Sequence, residues 1–130
     1  MKTITRSALL SLILAFVVLS AFSTQRKPFK NQVTGIYSNM IYVEEAGDVV
    51  GMEIFVVASS GGYHAVVQIA EGAPEEPFVV NVEVKGSDIE FVAPSILGKY
   101  KGRVSAKGLA GKFENEESVS FLKRRNSYWQ

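Results

Sequence analysis

A period-two alternation of apolar and polar residues runs through the chain after Gln32 and restricts its fold more than any other feature. Glycine-bearing breaks interrupt the alternation roughly every 8–12 residues. No stretch shows the i, i+3, i+4, i+7 spacing of an amphipathic helix over three turns. We therefore predict an all-β fold, an eight-stranded antiparallel up-and-down meander that forms a closed or nearly closed barrel.

The breaks divide residues 33–125 into eight predicted strands. They are Gly35–Val43, Asp48–Ala58, Gly62–Glu71, Phe78–Lys85, Asp88–Ala93, Lys99–Ala106, Leu109–Glu114 and Ser118–Arg125. Because the connections between them are short, strands that are neighbours in sequence should pair antiparallel.

Tight turns set the pairing that we expect between these strands. A two-residue turn at Gly86-Ser87 suits the type II′ form and places Val84 opposite Ile89. The turns that follow place Gly102 opposite Phe113. One face of the last five strands is then apolar, and this predicted core face contains Val82, Val84, Ile89, Phe91, Tyr100, Val104, Leu109, Phe113, Val119 and Phe121. A slip of one residue would turn a strand's apolar set to the opposite face.

Charged residues occupy the other face of these strands. The expected register places Arg103 beside Glu90 and Lys101 opposite Glu114, and each such ion pair contributes roughly a few tenths of a kcal/mol. The same register opposes Glu83 to Glu90, an unfavourable pair that either Arg103 relieves or a different register avoids.

The second and third predicted strands have an unusual outer face. The turn at Ser59–Gly62 pairs Phe55 with Val66 on the side that should face solvent. We take the residues of this face as candidates for binding a ligand or partner: Glu53, Phe55, Val57, His64, Val66 and Gln68. The first strand could add Met40 and Tyr42. Large apolar side chains gain nothing by facing water, so something should cover them.

Two kinds of cover are open for this face. A tail of the chain carrying Phe29, or Tyr128 and Trp129, is one. A small apolar ligand or an envelope protein is the other, and an exposed apolar patch of this kind usually marks such a site. The oligomeric state is not determined by the pattern.

Composition excludes several classes of site. The chain has no Cys, which excludes a disulfide scaffold, a Cys-ligated zinc site and a cysteine nucleophile. With one His it has no multi-histidine metal cage, and a formal net charge of +1 is not basic enough to indicate nucleic-acid binding. Glu44, Glu45 and Asp48 fall short of the oxygen ligands that calcium takes. We expect no cofactor and no metal.

The first 23 residues have the pattern of a secretory signal peptide. Lys2 and Arg6 precede an apolar run over 7–20, and Ala21-Phe22-Ser23 supplies small residues for cleavage. Residues 24–32 then read as a flexible lead-in, 33–125 as one β-barrel domain and 126–130 as a tail. We expect a bacterial periplasmic or secreted protein without a membrane span after cleavage.

Acidic and basic residues are unevenly placed along the chain. Residues 44–90 hold ten acids and one base, and residues 99–125 hold eight bases and three acids. Strands of a meander can meet, so we expect these charges to neutralise each other. Lys123, Arg124 and Arg125 could otherwise form a basic patch for an anionic surface.

Two groups of residues could be catalytic, and each could instead have a purely structural role. His64 could act as a base if Ser59 or Ser60 and Asp48 converge on it, but no G-x-S-x-G elbow is present. Glu53 opposite Gln68 could be an acid or merely a structural pair. We expect no enzyme, with a small hydrolase using His64 or Glu53 as the alternative.

Three short motifs resemble those of small exported bacterial barrels of the lipocalin-like, calycin type. They are the Gly35-x-Tyr37 opening, the glycine-rich hairpin from Gly102 to Gly111, and the ending Phe121 to Arg124. True lipocalins have Trp where this chain has Tyr37. The resemblance implies a barrel that binds a small apolar ligand, and it carries over no ligand residue.

The leading hypothesis is therefore an exported, non-catalytic β-barrel that binds a small apolar ligand or an envelope partner. An outer-membrane barrel is a further alternative. Such a barrel needs strands of 9–11 residues with an apolar outer band. The charged outer face of strands five to seven argues against it.

Overall fold

The computed structural model describes residues 33–94 and 96–125. Within these ranges the chain forms nine β-strands: β1 (Gly35–Ser38), β2 (Ile41–Val43), β3 (Asp48–Ser59), β4 (Gly62–Gly72), β5 (Phe78–Lys85), β6 (Asp88–Val92), β7 (Lys99–Val104), β8 (Gly108–Phe113) and β9 (Ser120–Arg124). The same ranges contain no helix of the length and apolarity that crossing a bilayer requires.

The strands form one antiparallel sheet that closes on itself. Each strand from β2 to β8 pairs with the next in sequence, β9 pairs with β1, and β1 also pairs with β3. The predicted fold class is confirmed: the molecule is a closed eight-stranded up-and-down barrel, with β2 as one extra strand on β3.

The extra strand arises because the first predicted strand is interrupted at Asn39 and Met40. The Asn39 side-chain oxygen accepts the Met52 amide hydrogen at 2.7 Å. In a regular ladder a backbone carbonyl would accept this hydrogen bond, whereas here the Asn39 side chain accepts it. This contact needs Gly51, since a Cβ there would lie 2.8–2.9 Å from backbone and side-chain atoms of Asn39 and Met40.

The register of the two longest strands is as predicted. Phe55 pairs with Val66 and Val57 with His64, and the inner face brings Ile54 opposite Val67. The Gly86-Ser87 turn also forms as predicted, because Val84 pairs with Ile89 across β5 and β6.

The expected register of β7 is wrong by two residues on both sides. Gly102 lies opposite Gly111 and Ile89, not opposite Phe113, and Arg103 lies opposite Asp88 instead of beside Glu90. A shift of two preserves the faces of a strand. Phe113 therefore remains buried, with 2% exposure.

Turn chemistry explains this shift. The Ser105 hydroxyl donates to the Gly108 carbonyl at 3.1 Å, and the Ser105 amide donates to the same oxygen at 2.8 Å. The β7–β8 turn therefore has Ala106 and Lys107 as its central residues, one residue earlier than the Lys107-Gly108 turn that the sequence predicts. Before β7, the Ala93 amide pairs with the Gly98 carbonyl at 3.0 Å, which also moves that turn.

The last strand slips by one residue, so its predicted core residues are wrong. Val119 and Phe121 are 63% and 47% exposed, and Leu122 is fully buried instead. The carboxylate of Glu116 accepts the Phe113 amide hydrogen at 2.8 Å, which gives the β8–β9 turn a shape that strand alternation does not reveal.

Side chains fill the middle of the barrel. The rings of Phe91 and Tyr100 stack with centroids 4.8 Å apart, and Phe113 meets Tyr100 edge-on at 5.1 Å. The Tyr100 ring lies against Gly102 and Gly111, where any Cβ would collide with it. The two glycines therefore make the space for the aromatic cluster.

Replacing Gly111 with Ala tests this packing. The new Cβ would lie 2.6 Å from the Tyr100 ring and 2.7 Å from the Lys101 carbonyl oxygen. Overpacking should lower the free energy of unfolding by about 1–3 kcal/mol in a denaturant titration. Gly61→Ala is the matched control, because its Cβ would have no neighbour closer than 3.7 Å. Equal stability of the two variants would contradict this packing.

Candidate functional site

An apolar row crosses the outside of four neighbouring strands. Phe55 of β3 pairs with Val66 of β4, as the sequence predicts, and the row continues on both sides. Phe55 also pairs with Ile36 of β1, and Val66 pairs with Val79 of β5. We call the four side chains the outer row: Ile36, Phe55, Val66 and Val79.

The outer row is accessible to solvent along most of its length. Phe55 is 41% exposed, Val66 38% and Val79 70%, whereas Ile36 is half-buried. Sequence reasoning missed Ile36 and Val79. The β4–β5 register could have revealed Val79, but Ile36 joins the row through barrel closure, which leaves no local signal.

Polar and smaller apolar groups border the outer row. Val57 and His64, which pair with each other, are half-buried, and His64 also pairs with Asn81 of β5. Tyr42 is exposed, but Met40 is 1% exposed and therefore adds nothing to an accessible patch.

Glu53 and Gln68 lie opposite each other on the other side of the row. Glu53 is 8% exposed and also pairs with buried Ser38 of β1. The Gln68 side-chain amide donates to the Glu75 carbonyl at 3.1 Å, so it ties β4 to the following loop. Glu53 is four residues from Val57, or about 13 Å from the level of His64 along the strand.

Within the described residues His64 has one side-chain hydrogen-bond partner, Ser59, whose hydroxyl lies 2.8 Å from His64 Nε2. The same hydroxyl accepts the Gly61 amide hydrogen at 3.1 Å, so it also serves the turn. Asp48 stands at the opposite end of β3, roughly 36 Å along the strand. Within the described residues no carboxylate contacts His64. The structure therefore brings together two members of the hypothetical triad but not the third.

The candidate cover from the chain's own termini falls outside the described residues. Phe29, Tyr128 and Trp129 all lie in segments 1–32 and 126–130. Their contact with the outer row remains a prediction.

A concave surface lies at the end of the barrel where β3 begins. It has a volume of about 580 Å³, and we call it the end depression. Apolar residues from several elements line it, namely Val50, Met52, Ile69, Leu97 and Phe113, together with the acidic residues Asp48, Glu71 and Glu116. Within residues 33–94 and 96–125 no three His, Asp or Glu side chains are grouped to hold a metal ion.

The protein is thus a closed eight-stranded antiparallel barrel with a filled centre, an apolar outer row and a depression at one end. No protein-family model matches the sequence. Comparisons with curated proteins and with solved structures also find no match.

The contact between Ser59 and His64 leads to a stability prediction. It lies at the surface, so His64→Ala should change the free energy of unfolding by no more than about 0.5 kcal/mol. Chemical denaturation of both forms measures this change. A hydrolytic activity that is present in the parent chain and lost in the variant would instead support the hydrolase alternative.

Proposed function

We propose that this protein is an exported, non-catalytic barrel of the lipocalin-like, calycin type, and that its outer row binds an envelope protein. The observation that carries the proposal is the outer row itself. Four apolar side chains from four strands lie side by side on a surface where alternation would otherwise place polar groups.

The surroundings of the outer row fit a protein interface. Such interfaces have an apolar centre and a polar rim. Here His64, Gln68 and Asn81 border the apolar centre on neighbouring strands. The outer wall of a closed barrel is convex, and such a surface suits a protein partner better than a small molecule, because small-molecule sites are concave.

The filled barrel centre also favours a partner over an apolar ligand inside the barrel. The inward-facing Ile54, Val67, Ile89, Tyr100 and Leu109 are all fully buried. These side chains occupy the space that an internal ligand would need.

Export and the lack of catalysis are parts of the same proposal. The basic start, apolar run and small residues of 1–23 support export to the periplasm or beyond. The Ser59–His64 pair, which no carboxylate of residues 33–94 and 96–125 contacts, supports a non-catalytic role. The charged outer faces of β6 and β7, where Arg103 Nε lies 2.6 Å from Asp88 Oδ1, favour this proposal over an outer-membrane barrel.

Phe55→Lys tests the proposed docking surface. In the exported form, an apolar fluorescent dye should bind the parent chain, and this change should remove most of the binding because it places a charge in the centre of the row. A photo-crosslinker at position 55 should capture a discrete envelope protein in the native cells. Circular dichroism should show an unchanged fold.

Phe121 provides the matched control for Phe55. It is 47% exposed on β9, outside the outer row, so Phe121→Lys should leave dye binding and cross-linking unchanged. Equal effects at the two positions would contradict a specific surface. If removal of residues 126–130 lowers stability and increases dye binding, the tail covers the row and the docking proposal is wrong.

A further inference from the structure

The up-and-down connectivity separates charges between the two ends of the barrel. Four connections lie at the end where β3 begins: residues 44–47, 73–77, 93–98 and 114–119. Their sequences contain no Lys, Arg or His and seven acids, namely Glu44, Glu45, Glu75, Glu76, Glu114, Glu116 and Glu117. We call this the acidic end.

Basic residues gather near the opposite end instead. They are Lys85, Arg103, Lys107, Lys123 and Arg124, which lie at the ends of strands or in turns there. Lys99 and Lys112 lie instead at the acidic ends of β7 and β8, and the Arg125 guanidinium donates to the Met40 carbonyl at 2.9 Å. A strand of six residues is about 20 Å long, which exceeds the Debye length of about 8 Å at physiological salt. The expected mutual neutralisation of acids and bases therefore does not extend from one end to the other. It is local, as in the Asp88–Arg103 and Glu90–Lys99 pairs.

The end depression lies within the acidic end because β3 and β4 are long. They have 12 and 11 residues, and their inward-facing positions change from apolar to acidic as they reach this end. On β3 the series runs from Met52 through Val50 to Asp48, and on β4 it runs from Ile69 to Glu71. An apolar floor is thus followed by carboxylates at the rim.

Glu116 completes the rim from the other side. Its carboxylate accepts the Phe113 amide hydrogen at 2.8 Å, which holds it beside the floor. Lys112 donates to the Glu116 backbone carbonyl at 2.9 Å, but Lys112 is not among the residues that line the depression. Among the described residues, those that line the depression carry three acidic groups and no basic one, a lining that favours a cation.

A buried polar atom belongs to the aromatic cluster next to the depression, because the Tyr100 ring packs against that of Phe113, which lines it. The Tyr100 hydroxyl is buried and has no hydrogen-bond partner within the described residues. It lies against Gly111, which pairs with Ser120, and Ser120 lines the depression. Burial, with a smaller contribution from nearby Glu116, raises the pKa of Tyr100, so it stays a neutral donor at physiological pH. Buried hydroxyls normally have a partner.

We propose that the end depression binds a small organic amine, with its ammonium group at the β3–β4 side of the rim beside Asp48 and Glu71 and its apolar body on Met52, Ile69 and Phe113. An ammonium group offers three donors to carboxylates. A volume of about 580 Å³ lies within the usual range for small-molecule sites. The apolar floor suits this ligand better than a calcium ion, which takes six to eight oxygen ligands. This proposal does not depend on the outer row.

Hexylamine is the probe for this site, and hexanol and methylamine are its controls. We expect hexylamine to shift the amide NMR signals of Met52, Glu71 and Phe113 in the full exported chain. Hexanol lacks the charge and methylamine lacks the apolar body, so each should bind at least about tenfold more weakly. Added salt should weaken hexylamine binding because the ion contacts lie near solvent.

Substitutions at two glutamates distinguish binding in the end depression from diffuse attraction to the acidic end. Glu71→Gln should weaken hexylamine binding about tenfold, the effect of one charge-assisted hydrogen bond. Glu76→Gln removes the same charge from the same end but outside the depression, and it should have little effect. Equal losses in the two variants would show diffuse attraction only. Equal binding of hexanol, or no shift at millimolar hexylamine, would also overturn the proposal.

Discussion

Hydrogen bonding between β1 and β3 closes the sheet, and the rest of the structure depends on this seam. Without it, β1 and β3 would present unpaired backbone groups at two sheet edges. Tyr37 fastens β1 on its other side, to β9: its hydroxyl donates to the Val33 carbonyl and accepts from the Arg124 guanidinium, both at 2.8 Å. The guanidinium carbon also lies 5.0 Å from the centre of the Tyr37 ring, so β9 is tied to β1 by side chains as well as by backbone.

Closure with eight strands leaves an interior that side chains can fill. The aromatic cluster fits because Gly102 and Gly111 have no Cβ beneath Tyr100, and Gly108 allows the Leu122 backbone to approach β8. Because side chains fill the centre, binding sites must lie on surfaces outside the core. The proposed partner site lies on the outer wall, and the proposed amine site lies where the long β3 and β4 reach the barrel end.

The same connectivity assembles both proposed sites from distant parts of the chain. The outer row draws residues from four strands, and β1 joins it through the closing seam. The acidic end gathers every second connection of an up-and-down sheet, so loops far apart in sequence lie around one opening. Neither surface is visible in a single segment of the sequence.

Alternation in the sequence was enough to determine the fold class, the strand ends to within two residues apart from the interruption at Asn39 and Met40, and the pairing that puts Phe55 beside Val66. These features depend on local periodicity and one tight turn. The tertiary structure alone decided the register around β7 and β9, because Ser105 and Glu116 reshape their turns through side-chain hydrogen bonds that alternation does not encode. It also decided that Ile36 joins the outer row, since ring closure pairs residues distant in sequence.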